Sequence, residues 1–233
     1  MAITAIAHRG YSAKYPENTL SAFEAAIELG FSHIEIDVHL SKDSVPVVMH
    51  DKTINRTTDG KGLINAYTLA ELKTLRVKQK ERIPTLLETL ELARGRASLA
   101  IELKQEGALY PGLEKNVLHV IEETGMANDV YIQSFDHESI GRVRELSNDV
   151  QLGLIKKNAG SRLLPYMRKV GATFLAMNYP YLTRRFARKC EQEGIQLIVW
   201  PIDGKKRMLT MKKHYPQVWC TVKDLDEFKK WYI

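Results

Sequence analysis

The chain has 233 residues, 44% of them hydrophobic, and 34 Lys and Arg against 28 Asp and Glu give it a formal net charge of +6. That length allows one sizeable core, and the composition is ordinary for a globular protein. The cations are scattered, with no basic tail and no basic helix interleaved with aromatics, which argues against a nucleic-acid partner; no apolar run approaches the roughly 20 residues of a membrane span.

The chain opens on Ile3-Thr4-Ala5-Ile6-Ala7, a short strand pattern too brief for a signal-peptide core. Further apolar runs lie near His33–Leu40, Leu99–Leu103, Val130–Gln133, Gln151–Ile155, Thr173–Met177, Gln196–Trp200 and Val218–Val222. Between them come helical patterns such as Glu17–Leu29, Thr85–Ala93, Leu113–Thr124 and Arg184–Glu193. Gly30, Gly125 and Gly194 stand where helices should stop before the next strand. Strands alternating with helices, without a linker or composition break, predict one domain over residues 1–233 built as a (β/α)₈ TIM barrel. A doubly wound sheet is the alternative, because periodicity does not report closure. One stretch breaks the rhythm: Pro46-Val47-Val48-Met49 and the turn Thr57-Thr58-Asp59-Gly60-Lys61-Gly62 predict a small insertion after strand 2, over approximately 51–83. Its glycine turn is expected to be a plain solvent-exposed turn rather than a phosphate cradle. Arg184-Arg185 with Arg188-Lys189, and Lys205-Lys206-Arg207, read as solvated helix faces.

Cys190 and Cys220 have no neighbour at metal-ligand spacing and read as reduced core residues. Reduced thiols and no leader predict a cytoplasmic address without stable membrane association.

Side chains two apart on a strand share a face, so Glu35 and Asp37 should both point into the barrel, with Glu102 and Lys104 arranged alike on the neighbouring strand. Three inward carboxylates repel one another unless something neutralises them. A divalent cation does so, and all-oxygen ligation selects magnesium or calcium, with manganese also suited, over zinc. The competing arrangement is a structural ion pair of Glu35 with Lys104 or Arg9. His8 ends the first strand and His50 ends the extension after the second, so the pair can serve as acid and base. Arg9 and Lys104 supply charge for a phosphate. The histidines at 33, 39, 119, 137 and 214 read as incidental.

His8-Arg9-Gly10, Pro16-Glu17-Asn18-Thr19, Glu35-Ile-Asp37-Val38, Val47-Val48-Met49-His50-Asp51, Arg56-Thr57-Thr58-Asp59-Gly60-Lys61-Gly62, Ile83-Pro84-Thr85-Leu86 and Ile101-Glu102-Leu103-Lys104 follow in order. Together they resemble the glycerophosphodiester phosphodiesterase family over nearly the whole chain. The resemblance implies a TIM-barrel hydrolase that cleaves glycerophosphodiesters to sn-glycerol 3-phosphate and an alcohol, usually with calcium or magnesium. It implies His8 and His50 as the acid–base pair and Glu35, Asp37 and Glu102 as metal ligands. Arg9 and Lys104 fall near the phosphate, and Trp200 against the glycerol moiety. The small subdomain of the family falls on the insertion. Pro201-Ile202-Asp203 after Trp200, and Cys220-Thr221-Val222-Lys223-Asp224 at the last strand, depart from the usual pattern and bear on substrate preference. The alternatives are a lysophospholipid phosphodiesterase of the same fold and a silent metal- or phosphate-binding barrel.

Overall fold

The computed structural model describes residues 3–233. The chain runs β1 (Ile3–His8), α1 (Leu20–Glu28), β2 (Phe31–Leu40), β3 (Pro46–Val48), α2 (Leu69–Thr74), α3 (Leu86–Ala93), β4 (Ser98–Leu103), α4 (Leu113–Thr124), β5 (Val130–Ser134), α5 (His137–Leu146), β6 (Gln151–Ile155), α6 (Leu164–Val170), β7 (Ala172–Asn178), α7 (Arg184–Gln192), β8 (Gln196–Trp200), α8 (Lys205–His214), β9 (Trp219–Val222) and α9 (Leu225–Tyr232). Eight strands, all but β3, run parallel in the order β1-β2-β4-β5-β6-β7-β8-β9. Pairing of Ile6 with Thr221 and Ala7 with Val222 closes β9 on β1. The sheet is therefore a closed TIM barrel, not an open doubly wound one, with β3 added antiparallel on the edge of β2.

Strand β2 shows why the sequence takes this form. Ile34, Ile36 and Val38 are fully buried on its outer face, packed with Phe23 and Ala26 of α1 and Leu86 and Leu90 of α3. Burial of each such side chain contributes about 1.5–3 kcal/mol. The helices on this side begin where their caps put them. Thr19 accepts from the Ala22 amide at 3.4 Å, starting α1 three residues later than the apolar pattern suggests, and Thr85 with Glu88 forms a reciprocal capping box at the start of α3. Inside the barrel, Ile6, Ala100, Tyr131, Ile155, Ala176 and Ile198 fill the lumen, and Tyr131 stacks on Phe174 at 4.1 Å between centroids.

The excursion after β3 has its own small core of Val47, Met49, Ile54, Ile64, Leu72, Val77 and Ile83. It is clasped at its root, where the Met49 amide donates to Asp37 O (2.9 Å) and the Val48 amide to Pro84 O (2.8 Å). Its glycine turn is closed on itself: the Gly62 amide donates to Asn55 Oδ1 and the Gly60 amide to Thr58 Oγ1. Those donors are engaged locally, as a plain turn requires. No helix among the described residues is long and apolar enough to cross a membrane.

Candidate active site

Parallel pairing in register sets Asp37 of β2 directly beside Glu102 of β4, and His8 of β1 beside Glu35 of β2. Glu35, Asp37 and Glu102 are 4%, 0% and 7% exposed, and each offers a carboxylate oxygen within 4.8 Å of the other two. Three buried carboxylates this close cannot all be stable anions without compensation. Burial and the neighbouring carboxylates push Glu35 well above the usual range. Burial also raises Glu102, against the pull of Lys104. Asp37 goes the other way: burial would raise it, but Lys104 and Arg9 outweigh that and hold it low.

The two cations are drawn into this cluster. Lys104 Nζ bridges Asp37 Oδ1 (2.8 Å) and Glu102 Oε1 (2.5 Å). Arg9 sets Nε 3.2 Å from Asp37 Oδ2 and donates from Nη1 to Glu17 Oε1 at 2.9 Å. Neither cation pairs with Glu35. Instead the Arg9 amide reaches Glu35 Oε2 and Glu35 O, each at 3.0 Å. These contacts hold Arg9 at φ +58°, a strained backbone for a residue with a side chain. Gly10 follows at φ +76°, where a Cβ would lie 2.6 Å from the Ala22 backbone, so the turn at the end of β1 requires glycine.

Arg9 and Asn18 both reach Asp37: Asn18 Nδ2 donates to its Oδ2 at 2.8 Å. Asp37 Oδ1 is buried and, although 2.8 Å from Lys104 Nζ, has no aligned hydrogen-bond donor. A cluster with an under-satisfied carboxylate oxygen, all-oxygen donors and excess negative charge fits a divalent cation.

His8 Nε2 lies 3.9 Å from Glu35 Oε2, and burial, with Arg9 adding to it, pushes the imidazole down to about 3. His8 is therefore held as the neutral imidazole. His50 Nδ1 lies 2.6 Å from Asp51 Oδ1. An ionised carboxylate only accepts, so the proton of a neutral His50 sits on Nδ1 and leaves Nε2 free. Asp51 is in turn gripped by Arg56 through Nε at 2.6 Å and Nη2 at 3.0 Å, and Arg56 also reaches Glu17. His8, Arg9, Glu35, His50, Glu102, Lys104 and Trp200 all line one pocket of about 380 Å³ at the C-terminal ends of the barrel strands, with Asp37 buried in the carboxylate cluster at its wall. Trp200 meets Phe135 edge-on at 6.1 Å between centroids, forming its apolar side.

A match to the model of the glycerophosphoryl diester phosphodiesterase family spans residues 8–217. The chain belongs to the glycerophosphoryl diester phosphodiesterase family. It is an enzyme of the phosphoric diester hydrolase class. It is 37% identical over 216 residues, 89% of each chain, to a glycerophosphodiester phosphodiesterase from Caldanaerobacter subterraneus subsp. tengcongensis. It is 33% identical over 231 residues to one from Bacillus subtilis, covering 88% of this chain and 78% of that one. A solved phosphodiesterase from Oleispira antarctica, in complex with its product sn-glycerol-3-phosphate, superposes with a TM-score of 0.85 at 27% identity over 98% of this chain and 96% of that one. One from Thermotoga maritima gives 0.80 at 27% identity, covering 99% and 98%.

In this glycerophosphodiester phosphodiesterase the reading of the other histidines needs correction at one position. His39 is not incidental. It is 2% exposed on the same inward face of β2 as Glu35 and Asp37. Its Nε2 lies 3.1 Å from His50 O and its Nδ1 2.8 Å from the Tyr110 hydroxyl. A carbonyl only accepts, so Nε2 carries the proton and Tyr110 donates to Nδ1. His39 thereby pins the residue from which the excursion departs. The two-residue period that selected Glu35 and Asp37 carries that signal. Glu17, Asn18, Asp51 and Arg56 were within matched motifs but had no assigned part; the fold makes them the frame around Arg9, Asp37 and His50.

Proposed function

We propose that this enzyme hydrolyses glycerophosphodiesters to sn-glycerol 3-phosphate and an alcohol, with His8 and His50 as acid–base pair and Glu35, Asp37 and Glu102 holding one divalent cation, magnesium or calcium. The observation that carries the reading is the convergence of the buried carboxylate triad and both histidines on one pocket of a family barrel. A bound cation supplies Lewis-acid polarisation of a phosphate oxygen.

The side chains divide the remaining work. His8, neutral beside Glu35, accepts the proton of the nucleophile, either water or the glycerol hydroxyl of the substrate. His50 acts as the imidazolium: Asp51 holds its Nδ1–H, and the second proton, on Nε2, passes to the leaving alkoxide and leaves the ring neutral. Arg9 and Lys104, already at the cluster, counter charge on the phosphate oxygens. Trp200 with Phe135 covers the apolar carbons of the glycerol moiety and keeps water from that side. The whole chain acts as a single catalytic unit, with residues 51–83 as an appendage that frames His50 through Asp51 and Arg56. Its substrates are small molecules rather than nucleic acid, and its reduced cysteines suit the cytoplasm.

The test is glycerol 3-phosphate release from glycerophosphocholine and glycerophosphoethanolamine, with and without EDTA, then with magnesium or calcium restored. Release that EDTA stops and metal restores is expected. No release with any metal from folded protein overturns the reading in favour of a silent barrel, and turnover confined to lysophospholipids overturns the substrate assignment.

A further inference from the structure

The charge on the walls of the pocket is unevenly placed. Its lining carboxylates, Glu35 and Glu102, both belong to the buried cluster with Lys104 and Arg9. Beyond that cluster the wall carries Lys157, from the loop after β6, and Lys223, from the loop after β9. Both are exposed, and among the described residues neither ammonium lies within 4.0 Å of a carboxylate. Asp203 accepts from the Lys223 amide at 3.2 Å, and Glu106, across the rim, lies 3.6 Å from Lys52. Arg207 adds a third cation beside the mouth, with its guanidinium 5.3 Å from the Tyr179 ring centroid and Nη1 3.4 Å from Pro201 O.

The balance decides what the outer pocket accepts. Glu35, Asp37, Glu102, Glu17 and Asp51 carry up to five negative charges against three positive charges on Arg9, Lys104 and Arg56. A divalent cation balances that excess, and a phosphodiester anion then offsets one of the two lysine charges at the mouth. The other lysine charge is left over, and it disfavours a cationic head group. Charge of one sign at the mouth of a cleft concentrates ligands of the opposite sign.

We propose that Lys157 and Lys223 select glycerophosphodiesters whose head group leaves the molecule net negative, such as glycerol or serine esters, over the zwitterionic choline and ethanolamine esters. The inference rests on the hydrolase reading above and names the substrate class of that same pocket. The aromatic pair opposes it: Phe135 and Trp200 offer ring faces that attract a quaternary ammonium. Their rings stand 78° apart and make only two walls. Two full positive charges line the same pocket and repel that ammonium.

The experiment compares kcat/KM for glycerophosphoglycerol and glycerophosphocholine, in the presence of the restoring metal, from low to high potassium chloride. About a tenfold preference for the glycerol ester is expected at low salt, at the low end of steering effects, shrinking as salt rises. Lys157→Gln with Lys223→Gln should bring the ratio near one, and Lys157→Glu with Lys223→Glu should invert it. Equal or better use of the choline ester by the native enzyme at low salt overturns the inference alone, as does a native ratio retained in both double variants. No turnover of either diester overturns the hydrolase reading and this inference with it.

Discussion

Asp37 and Glu102 stand side by side on adjacent parallel strands, and Lys104 Nζ bridges their carboxylates at 2.8 and 2.5 Å. The lysine donates a hydrogen bond to Glu102 Oε1 but holds Asp37 Oδ1 by charge, without an aligned hydrogen bond. Removing that charge with Lys104→Met exposes a buried acidic pair to its own repulsion. A loss of about 3–5 kcal/mol is expected, and millimolar magnesium or calcium should recover part of it. Urea denaturation with and without metal measures both. Unchanged stability without metal would show that the carboxylates are already protonated.

The histidine pair should fail differently. His8→Ala or His50→Ala is expected to cut turnover by about a hundredfold or more, with the circular dichroism spectrum and melting transition close to native. A near-native rate in either variant removes that histidine from the mechanism.

Tyr110 sits 71 residues from His39 in sequence and donates to its Nδ1. Tyr110→Phe leaves that nitrogen buried without a donor, at about 1–3 kcal/mol of stability. If His39 serves to place His50, kcat falls several-fold while KM stays put, and His39→Gln, which retains a donor for the His50 carbonyl, keeps more activity than His39→Leu. Equal rates in Gln and Leu variants would reduce His39 to packing.

Glu114 offers a pH test outside the active site. Its Oε1 accepts from Ser139 Oγ at 2.6 Å and from Arg142 Nε and Nη2 at 3.0 and 2.8 Å. Burial alone would raise its pKa, but these donors lower it below the ordinary glutamate value. A lowered folded pKa means that the folded state favours the ionised form. The stabilisation is therefore present above the unfolded value and lost as pH falls through the folded one. Glu114→Gln should be less stable than native by about 1.5–3 kcal/mol at pH 7, and the gap in urea midpoints should narrow as pH drops below about 4. A gap that is constant from pH 7 to pH 3 would rule out the charge as its source.

Much of the site was written in strand periodicity. A side-chain period of two fixes Glu35 and Asp37 on one face whatever surrounds the strand, and the greasy alternation of Ile34, Ile36 and Val38 fixes which face is inward. The same rule extended two residues reaches His39, yet a lone histidine carries no local sign of what it will meet. Its partners are a hydroxyl at Tyr110 and a carbonyl at His50, and only packing brings those together. The competition between metal and ion pair shows the same division. The ion-pair alternative set Glu35 against Arg9 or Lys104, whereas the register of β2 with β4 delivers Lys104 to Asp37 and Glu102.

The sequence by itself determined the alternation of strands and helices, the inward face of each strand and the residue types gathered there, because these follow from dihedral geometry and burial over a few neighbouring residues. Only the tertiary structure decided that the sheet closes, since the bonds joining Ile6 to Thr221 and Ala7 to Val222 span the length of the chain. Closure in turn brings Lys157, Lys223 and Phe135 to the same mouth as His8. Separations of that size leave no periodic trace, and the charge each side chain meets there is set by the fold as a whole.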